Sequence, residues 1–276
     1  MRRPAIIAFQ NAFHGRTYMA MTLTSQVKPY KWGFGPLCPE VYRAPFAYCY
    51  RCPFGLEYPG CGIYCADYLE EFFVCNVAPD AVAAIIAEPV QGEGGFIVPP
   101  PEYFKKIKAI CEKYGILLIL DEIQSGMGRT GKLFACEHFD VVPDIILTGK
   151  SIAGGLPLAG VTGRAEIMEM PHVGALGGTF SGNPVSCKAA LAVLDLLQGG
   201  MLEKAAELGK KMTSWFLQLQ QEYEIIGDVR ALGPMVGVEL VKDRQTKEPA
   251  GEQAEELVRR CYEKGLIILR CGPYHN

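Results

Sequence analysis

The run Ile116-Leu117-Leu118-Ile119-Leu120 has no polar alternation and stops abruptly at Asp121-Glu122. A strand that is apolar on both faces must be covered on both, as in a parallel sheet flanked by helices. The feature recurs. Ala83-Ala84-Ile85-Ile86-Ala87 ends at Glu88-Pro89, where proline stops a strand, and Asp144-Ile145-Ile146-Leu147-Thr148 ends at Gly149-Lys150. Pro4–Phe9 reads as another buried strand. Between these runs, Pro100-Pro101-Glu102 opens a helix, because proline is tolerated in the first turn. Its apolar positions, Phe104, Ile107, Ile110, Cys111 and Tyr114, have helical spacing, and Gly115 is placed to cap it. Strand–helix–strand alternation predicts an α/β fold with a mostly parallel sheet.

The last third differs. A helix is expected from Pro184 to Leu197, a second from Met201 to Tyr223 after Gly199-Gly200, short strands at Gly227–Arg230 and Met235–Leu240, a helix at Glu252–Lys264 and a strand at Leu266–Leu269. This predicts two domains: a large one over residues 1–197 and a smaller α+β one over residues 198–276. Both ends read as cut. Residues 4–9 look like an internal strand with nothing before it, and the chain stops just after the Leu266–Leu269 strand with no closing helix. The expectation is a partial sequence whose Met1 is an internal methionine.

A net charge of −3 offers no basic face for nucleic acid. No apolar run reaches the length of a membrane span, and the start lacks a signal-peptide pattern. Eleven cysteines, several of them in apolar or helical segments (Cys111, Cys136, Cys187, Cys261), suggest reduced thiols and a cytoplasmic protein.

Ligands of open α/β sheets bind outside the carboxyl ends of the strands. Two of these strands end in an acid, Asp121, and a lysine, Lys150. That pair suits pyridoxal phosphate, which is carried on a lysine as a Schiff base while a carboxylate pairs with its pyridinium nitrogen. Each residue also has an ordinary reading, as a turn acceptor or a solvated surface charge. The apolar, glycine-rich stretch Ser151–Gly160 strengthens the cofactor reading, since few competing charges surround the lysine.

Five segments in order then resemble the class III aminotransferases of fold type I: Phe13–Thr17, Glu88–Gly95, Leu120–Gly131, Thr148–Ser151 and Gly177–Pro184. The resemblance spans nearly the whole chain. It implies a fold-type-I large domain and a smaller C-terminal domain, both truncated, in an obligate homodimer with shared active sites. It implies Lys150 as the catalytic, cofactor-bearing lysine, Asp121 on the pyridine nitrogen, Gln124 on the phenolic oxygen and Phe13 stacked on the ring. Thr179 would reach the cofactor phosphate of the neighbouring subunit.

Within this group the chain is most similar to 4-aminobutyrate aminotransferases, through Ile152–Arg164 and Cys271–Asn276. The resemblance implies an ω-amino acid donor and a 2-oxo acid acceptor, with 2-oxoglutarate expected. Arg16 would bind the distal carboxylate, and Glu93 would be a gate that pairs with an arginine. Glu88 reads as structural. The family's upstream phosphate-binding turn and its α-carboxylate arginine fall outside this sequence, so the fragment alone is expected to be inactive. Other enzymes of the same cofactor (ornithine or acetylornithine aminotransferase, aminomutase, racemase, decarboxylase) share Lys150 and Asp121.

Cys49-x2-Cys52-x8-Cys61-x3-Cys65 lies in a Tyr-, Pro- and Gly-rich loop. Four thiols at this spacing can hold a structural zinc or an iron–sulfur cluster; the alternative is packed, reduced cysteines. A non-catalytic cysteine-rich metal-binding module on the same scaffold is the competing function.

Overall fold

The computed structural model describes residues 3–276; Met1 and Arg2, read above as part of the chain's start, lie outside them. In chain order the elements are β1 (Ala5–Phe9), α1 (Tyr18–Leu23), β2 (Val41–Ala44), α2 (Tyr64–Cys75), β3 (Val82–Ala87), α3 (Tyr103–Tyr114), β4 (Leu117–Asp121), β5 (Ile145–Thr148), β6 (Gly160–Gly163), α4 (Ala165–Met168), α5 (Pro184–Leu196), α6 (Leu202–Glu222), β7 (Ile226–Leu232), β8 (Met235–Asp243), β9 (Glu248–Pro249) and α7 (Gly251–Glu263).

Six strands form one sheet in the order β2-β1-β3-β4-β5-β6. Its first five strands run parallel, and only the β5–β6 pairing is antiparallel. Because side chains alternate along a strand, the two faces are distinct. Ile7, Phe9, Ile85, Leu118 and Leu120 face one large core with α2 and α3. Phe46, Tyr103 and Phe104 fill it with edge-on ring contacts, Phe46–Tyr103 at 5.3 Å and Tyr103–Phe104 at 5.2 Å. This geometry sets the positive edge of one ring against the negative face of the next. Ala8, Ile86 and Leu23 make a much smaller cluster on the other face, flanked by partly buried Ile6, Ile119 and Leu147.

Helix α3 follows its expected periodicity. Tyr103, Phe104, Ile107, Ile110 and Cys111 are its buried residues, and Gly115 ends it at φ 62°, a left-handed cap that costs glycine least. The strand Leu266–Leu269 does not form. A strand exists through its ladder, and this segment has none among the described residues; Leu266, Ile267 and Leu269 stand exposed.

By length and composition alone, Pro184–Glu222 passes as a membrane-spanning helix, contrary to the sequence expectation. It is interrupted, however: Gly199 and Gly200 leave helical geometry, Gly200 at φ 104°. The unbroken α5 has 13 residues, short of the roughly 20 that a bilayer core requires, and the 21-residue α6 carries Glu203, Lys204, Glu207, Lys210, Lys211 and Glu222. A second, three-stranded antiparallel sheet, β7-β8-β9, packs Ile226 and Leu240 with Ala250 and Ala254.

Candidate active site

The carboxyl ends of β1, β3, β4 and β5 are neighbours in the sheet, and each delivers residues to one place. β4 ends in Asp121, which pairs in register with Leu147 of β5, three residues before Lys150. Strand alternation sends the next acid elsewhere. Glu122 is fully buried and accepts from Ser125 Oγ at 2.5 Å and Cys136 N–H at 2.8 Å, so it holds the following turn together. Of the two adjacent acids, Asp121 alone is presented at the strand end.

Asp121 is gripped by a residue to which the sequence assigned no role. His14 Nδ1 lies 2.7 Å from Asp121 Oδ2, with both side chains buried. The backbone N–H of Ile123 donates to Oδ1 at 3.1 Å. His14 is itself fixed, because its backbone N–H donates to Thr24 Oγ1 at 3.0 Å and that hydroxyl donates to Gly15 O at 3.1 Å. The signal was available: a histidine inside the conspicuous Phe13–Thr17 segment. What the sequence lacks is the 107-residue contact that gives it a partner.

Glu88, at the end of β3, is also buried. Its carboxylate accepts from Phe13 N–H at 2.8 Å and from Gly92 N–H at 3.1 Å. It thereby ties the loop after β1 to the loop after β3, the structural role read from the sequence. Burial pushes its pKa up to about 7, against the pull of His14 and of the two backbone donors. Gly92 lies so close to the Gln124 side chain that a Cβ there would run into the amide. Gln124 is therefore seated beside the Phe13–Glu88 junction.

Lys150 begins a short 3-10 turn just after β5. Its φ of 47° lies in the left-handed region, which residues with a side chain enter rarely and at a cost, and which clusters at functional positions. Its side chain is exposed, and the preceding Gly149 packs over Ile123, beside Asp121.

These residues fit pyridoxal phosphate. The Asp121 oxygens each make one contact and keep acceptor capacity for a ring N–H. His14 Nε2 is a buried polar atom with no protein partner, on the same imidazole that steadies Asp121. The lysine, acid, amide and aromatic ring named from the sequence lie at or just past the carboxyl ends of β5, β4 and β1. Lys150 would hold the group, Asp121 its pyridine nitrogen, Gln124 its phenolic oxygen and Phe13 its face.

Arg16 and Glu93 meet through a residue that the sequence did not single out. Tyr30 donates its hydroxyl to Glu93 Oε2 at 3.1 Å. The Arg16 guanidinium lies over the Tyr30 ring, 4.7 Å from its centre, and the Phe13 ring is 4.8 Å away. Phe13, Tyr30 and Glu93 line a cavity of about 60 Å³. Thr179, by contrast, is not brought to this place. It lies on an exposed loop beside an 89% exposed Phe180.

The cysteine cluster does not assemble a metal centre. Cys49, Cys52, Cys61 and Cys65 do line one cavity of about 20 Å³, with Phe54, Tyr58 and Tyr64 among its walls. Among the described residues, though, no three His, Cys, Asp or Glu side chains are grouped so as to hold an ion. Burial, reinforced by the neighbouring thiols, raises the pKa of Cys49 and pushes Cys65 up to about 12. The expected zinc or iron–sulfur cluster therefore finds no support among the described residues. All eleven cysteines are free.

The sequence profile of the class-III aminotransferases matches residues 1–275. The chain is 46% identical over 276 residues to a probable 4-aminobutyrate aminotransferase of Bacillus subtilis, covering 100% of this chain and 63% of that protein. It is 45% identical over 269 residues to a leucine/methionine racemase of Thermococcus litoralis, covering 97% and 60%. Among solved structures, an amine transaminase from an uncultivated Pseudomonas species in its PLP-bound form superimposes with a TM-score of 0.90 at 30% identity, covering 96% of this chain and 62% of that one. The chain thus spans about three-fifths of the length of the relatives it matches. Profile, sequence and structure agree that this chain belongs to the class-III aminotransferase family.

Proposed function

We propose that the whole protein is a pyridoxal-phosphate-dependent aminotransferase that moves the amino group of a carboxylate-bearing ω-amino acid, such as 4-aminobutyrate, to a 2-oxo acid, with 2-oxoglutarate as acceptor. The observation that carries this is the placement of Asp121 and Lys150 at the ends of paired strands, with buried His14 clamping the acid. Relatives named as 4-aminobutyrate and 5-aminovalerate aminotransferases, at 46% and 42% identity, support the choice of donor.

Bound pyridoxal phosphate supplies an electron sink for negative charge developing at the substrate carbon. The rest falls to the protein. Lys150 Nζ holds the cofactor and, once released, moves the proton at that carbon. Asp121, steadied by His14 and the Ile123 N–H, holds a proton on the pyridine nitrogen. Gln124 donates to the phenolic oxygen, and Phe13 covers the ring face. Arg16 binds the donor's distal carboxylate with its planar fork of N–H groups, and Glu93 serves as the gate. Thr179, on its exposed loop, reaches the cofactor phosphate of a second copy, which makes the protein a homodimer with shared sites. We further place a domain division at residues 197/198, beside the Gly199–Gly200 break, and the protein in the cytoplasm, where eleven free thiols stay reduced.

The test is the visible spectrum of the full-length protein before and after 4-aminobutyrate. The expected result is a Schiff-base band that converts to the pyridoxamine form and is absent in Lys150→Ala. A band indifferent to 4-aminobutyrate removes the donor and keeps the class; no band in the wild type, with cofactor supplied, removes the reading. The 45% identity to a racemase favours a second reading, racemisation of an α-amino acid. A racemase exchanges the α-proton catalytically without any 2-oxo acid and without accumulating the pyridoxamine form.

A further inference from the structure

Arg16 and Glu93 carry opposite charges and touch the same ring, yet among the described residues neither takes part in an ion pair. Tyr30 separates them. Its hydroxyl donates to Glu93 Oε2 at 3.1 Å, and its face carries the Arg16 guanidinium at 4.7 Å. The two contacts differ in kind. A cation stacked on a ring is held by its flat face, so the N–H edges of Arg16 remain open for a carboxylate, which they can bind with two parallel hydrogen bonds. A carboxylate held by a neutral phenol is restrained without cancelling any cation.

The loop bearing Tyr30 is anchored to the cofactor side of the site. Lys31 Nζ donates to Thr24 O at 2.7 Å, and Thr24 is the residue whose hydroxyl holds the His14 N–H. On the other side, the Glu93 carbonyl accepts from Gly272 N–H at 2.8 Å. The Glu93 backbone is thereby pinned, and its side chain retains the choice of partner.

We propose that Tyr30 is a positioning residue of the substrate site: its hydroxyl holds the Glu93 carboxylate and its ring seats the Arg16 guanidinium, so that the two charges do not pair and Arg16 stays available to the distal carboxylate of the donor. This rests on the reading of Arg16 as the carboxylate receptor. Burial, followed by the nearby Glu93 charge, raises the Tyr30 pKa, so the phenol remains a proton donor at neutral pH.

The experiment uses the full-length enzyme loaded with cofactor. Two donors are compared in the first half-reaction: 4-aminobutyrate, which has the distal carboxylate, and n-butylamine, which lacks it. Butyrate binding is measured separately, as a readout independent of turnover. Tyr30→Phe keeps the ring and removes the hydroxyl. The expected result is a fall of about tenfold in the preference for 4-aminobutyrate over butylamine, carried by KM, with a matching loss in butyrate affinity, the size expected for a hydrogen bond to a charged group. In a Glu93→Ala background the same substitution should have no effect, because the hydroxyl acts only through that carboxylate. Tyr30→Leu, which also removes the seat of Arg16, should cost more than Tyr30→Phe. An unchanged preference in Tyr30→Phe overturns the proposal, and so does a loss of equal size with and without Glu93. A wild-type enzyme that does not distinguish 4-aminobutyrate from butylamine overturns the Arg16 reading itself, and the role of Tyr30 falls with it.

Discussion

Over the first 150 residues the large apolar side chains of β1, β3, β4 and α3 are inside, although Trp32, Phe34, Val74 and Val142 stand exposed. Tyr103, Phe104, Ile107 and Leu118 have no exposure at all. Between α4 and the end of α6 the same residue types are outside: Met170 is 80% exposed, Phe180 89% and Trp215 58%. Isolated exposed apolar residues are ordinary, but a whole span of them marks a surface that something else covers. The first region satisfies itself, with α2 and α3 closing one face of the sheet. The second does not. The division also separates Asp121, Gln124 and Lys150, at the strand ends of the better-buried scaffold, from Thr179, which rides on the exposed span. On the proposed reading, one subunit's geometry fixes Asp121, Gln124 and Lys150, whereas Thr179 acts in a neighbour.

The sharpest way to break this comparison is to make the same truncation in both regions. Leu118→Ala should destabilise the full-length protein by ~2–5 kcal/mol, because the deleted atoms leave a cavity in a core that closes only partly. Leu191→Ala, on a 55% exposed side chain, should change the stability of the same full-length protein, diluted until its subunits are separate, by no more than ~0.5 kcal/mol. Urea unfolding of both variants at one protein concentration measures the contrast. Equal losses would mean that α5 is as much part of a closed core as β4 is.

A second prediction uses pH and concerns the self-sufficient region alone. Glu88 titrates near 7 in the folded protein, against an ordinary value of 4.5. Below pH 4.5 both states are protonated. Between 4.5 and 7 the folded state keeps a proton that the unfolded state has released, so stability falls as pH rises through this window and levels off above it. The full effect is ~3 kcal/mol. Glu88→Gln removes the titration and should flatten the fall. The check is the difference in urea midpoint between variant and wild type at pH 5 and at pH 7; a difference that does not change with pH would show that the carboxyl titrates normally.

Legibility in the sequence followed the same division. The strands leading to Asp121 and Lys150 were readable because a short apolar run with abrupt polar or glycine ends reads as a buried strand, and α3 because its period and its glycine cap agree. Asp121, Gln124, Phe13 and Lys150 could be singled out because they lie at or just past strand ends, whose neighbourhood the fold dictates. The positions of His14 and Tyr30 were not readable. Each acquires meaning from a contact with no local pattern, His14 across 107 residues to Asp121 and Tyr30 across 63 to Glu93. The cysteines left two readings open for the complementary reason. Spacing along a loop shows that four thiols can meet, while grouping them to hold an ion depends on how Phe54, Tyr58 and Tyr64 pack around them. Leu266–Leu269 failed in the same way: apolar composition suits a strand, but the strand needs a ladder partner.

The smallest expected effect on folding is the most informative about the second region. Phe180 and Leu191 are exposed in one chain, so replacing both with serine should shift its urea midpoint little, within the ~0.5 kcal/mol typical of surface changes. If a second copy covers them, the same pair contributes apolar burial on association, with ~1.5–3 kcal/mol available from each fully buried side chain. The double variant should then dissociate at protein concentrations where the wild type remains dimeric. Because Thr179 adjoins Phe180, its cofactor affinity should fall as the subunits part, and adding protein should restore both together. Sedimentation and the cofactor absorbance, followed across one dilution series, read the two effects side by side. Loss of cofactor binding without dissociation would place the role of this loop within its own subunit, and dissociation without loss of cofactor would free the phosphate site from any need for a neighbour.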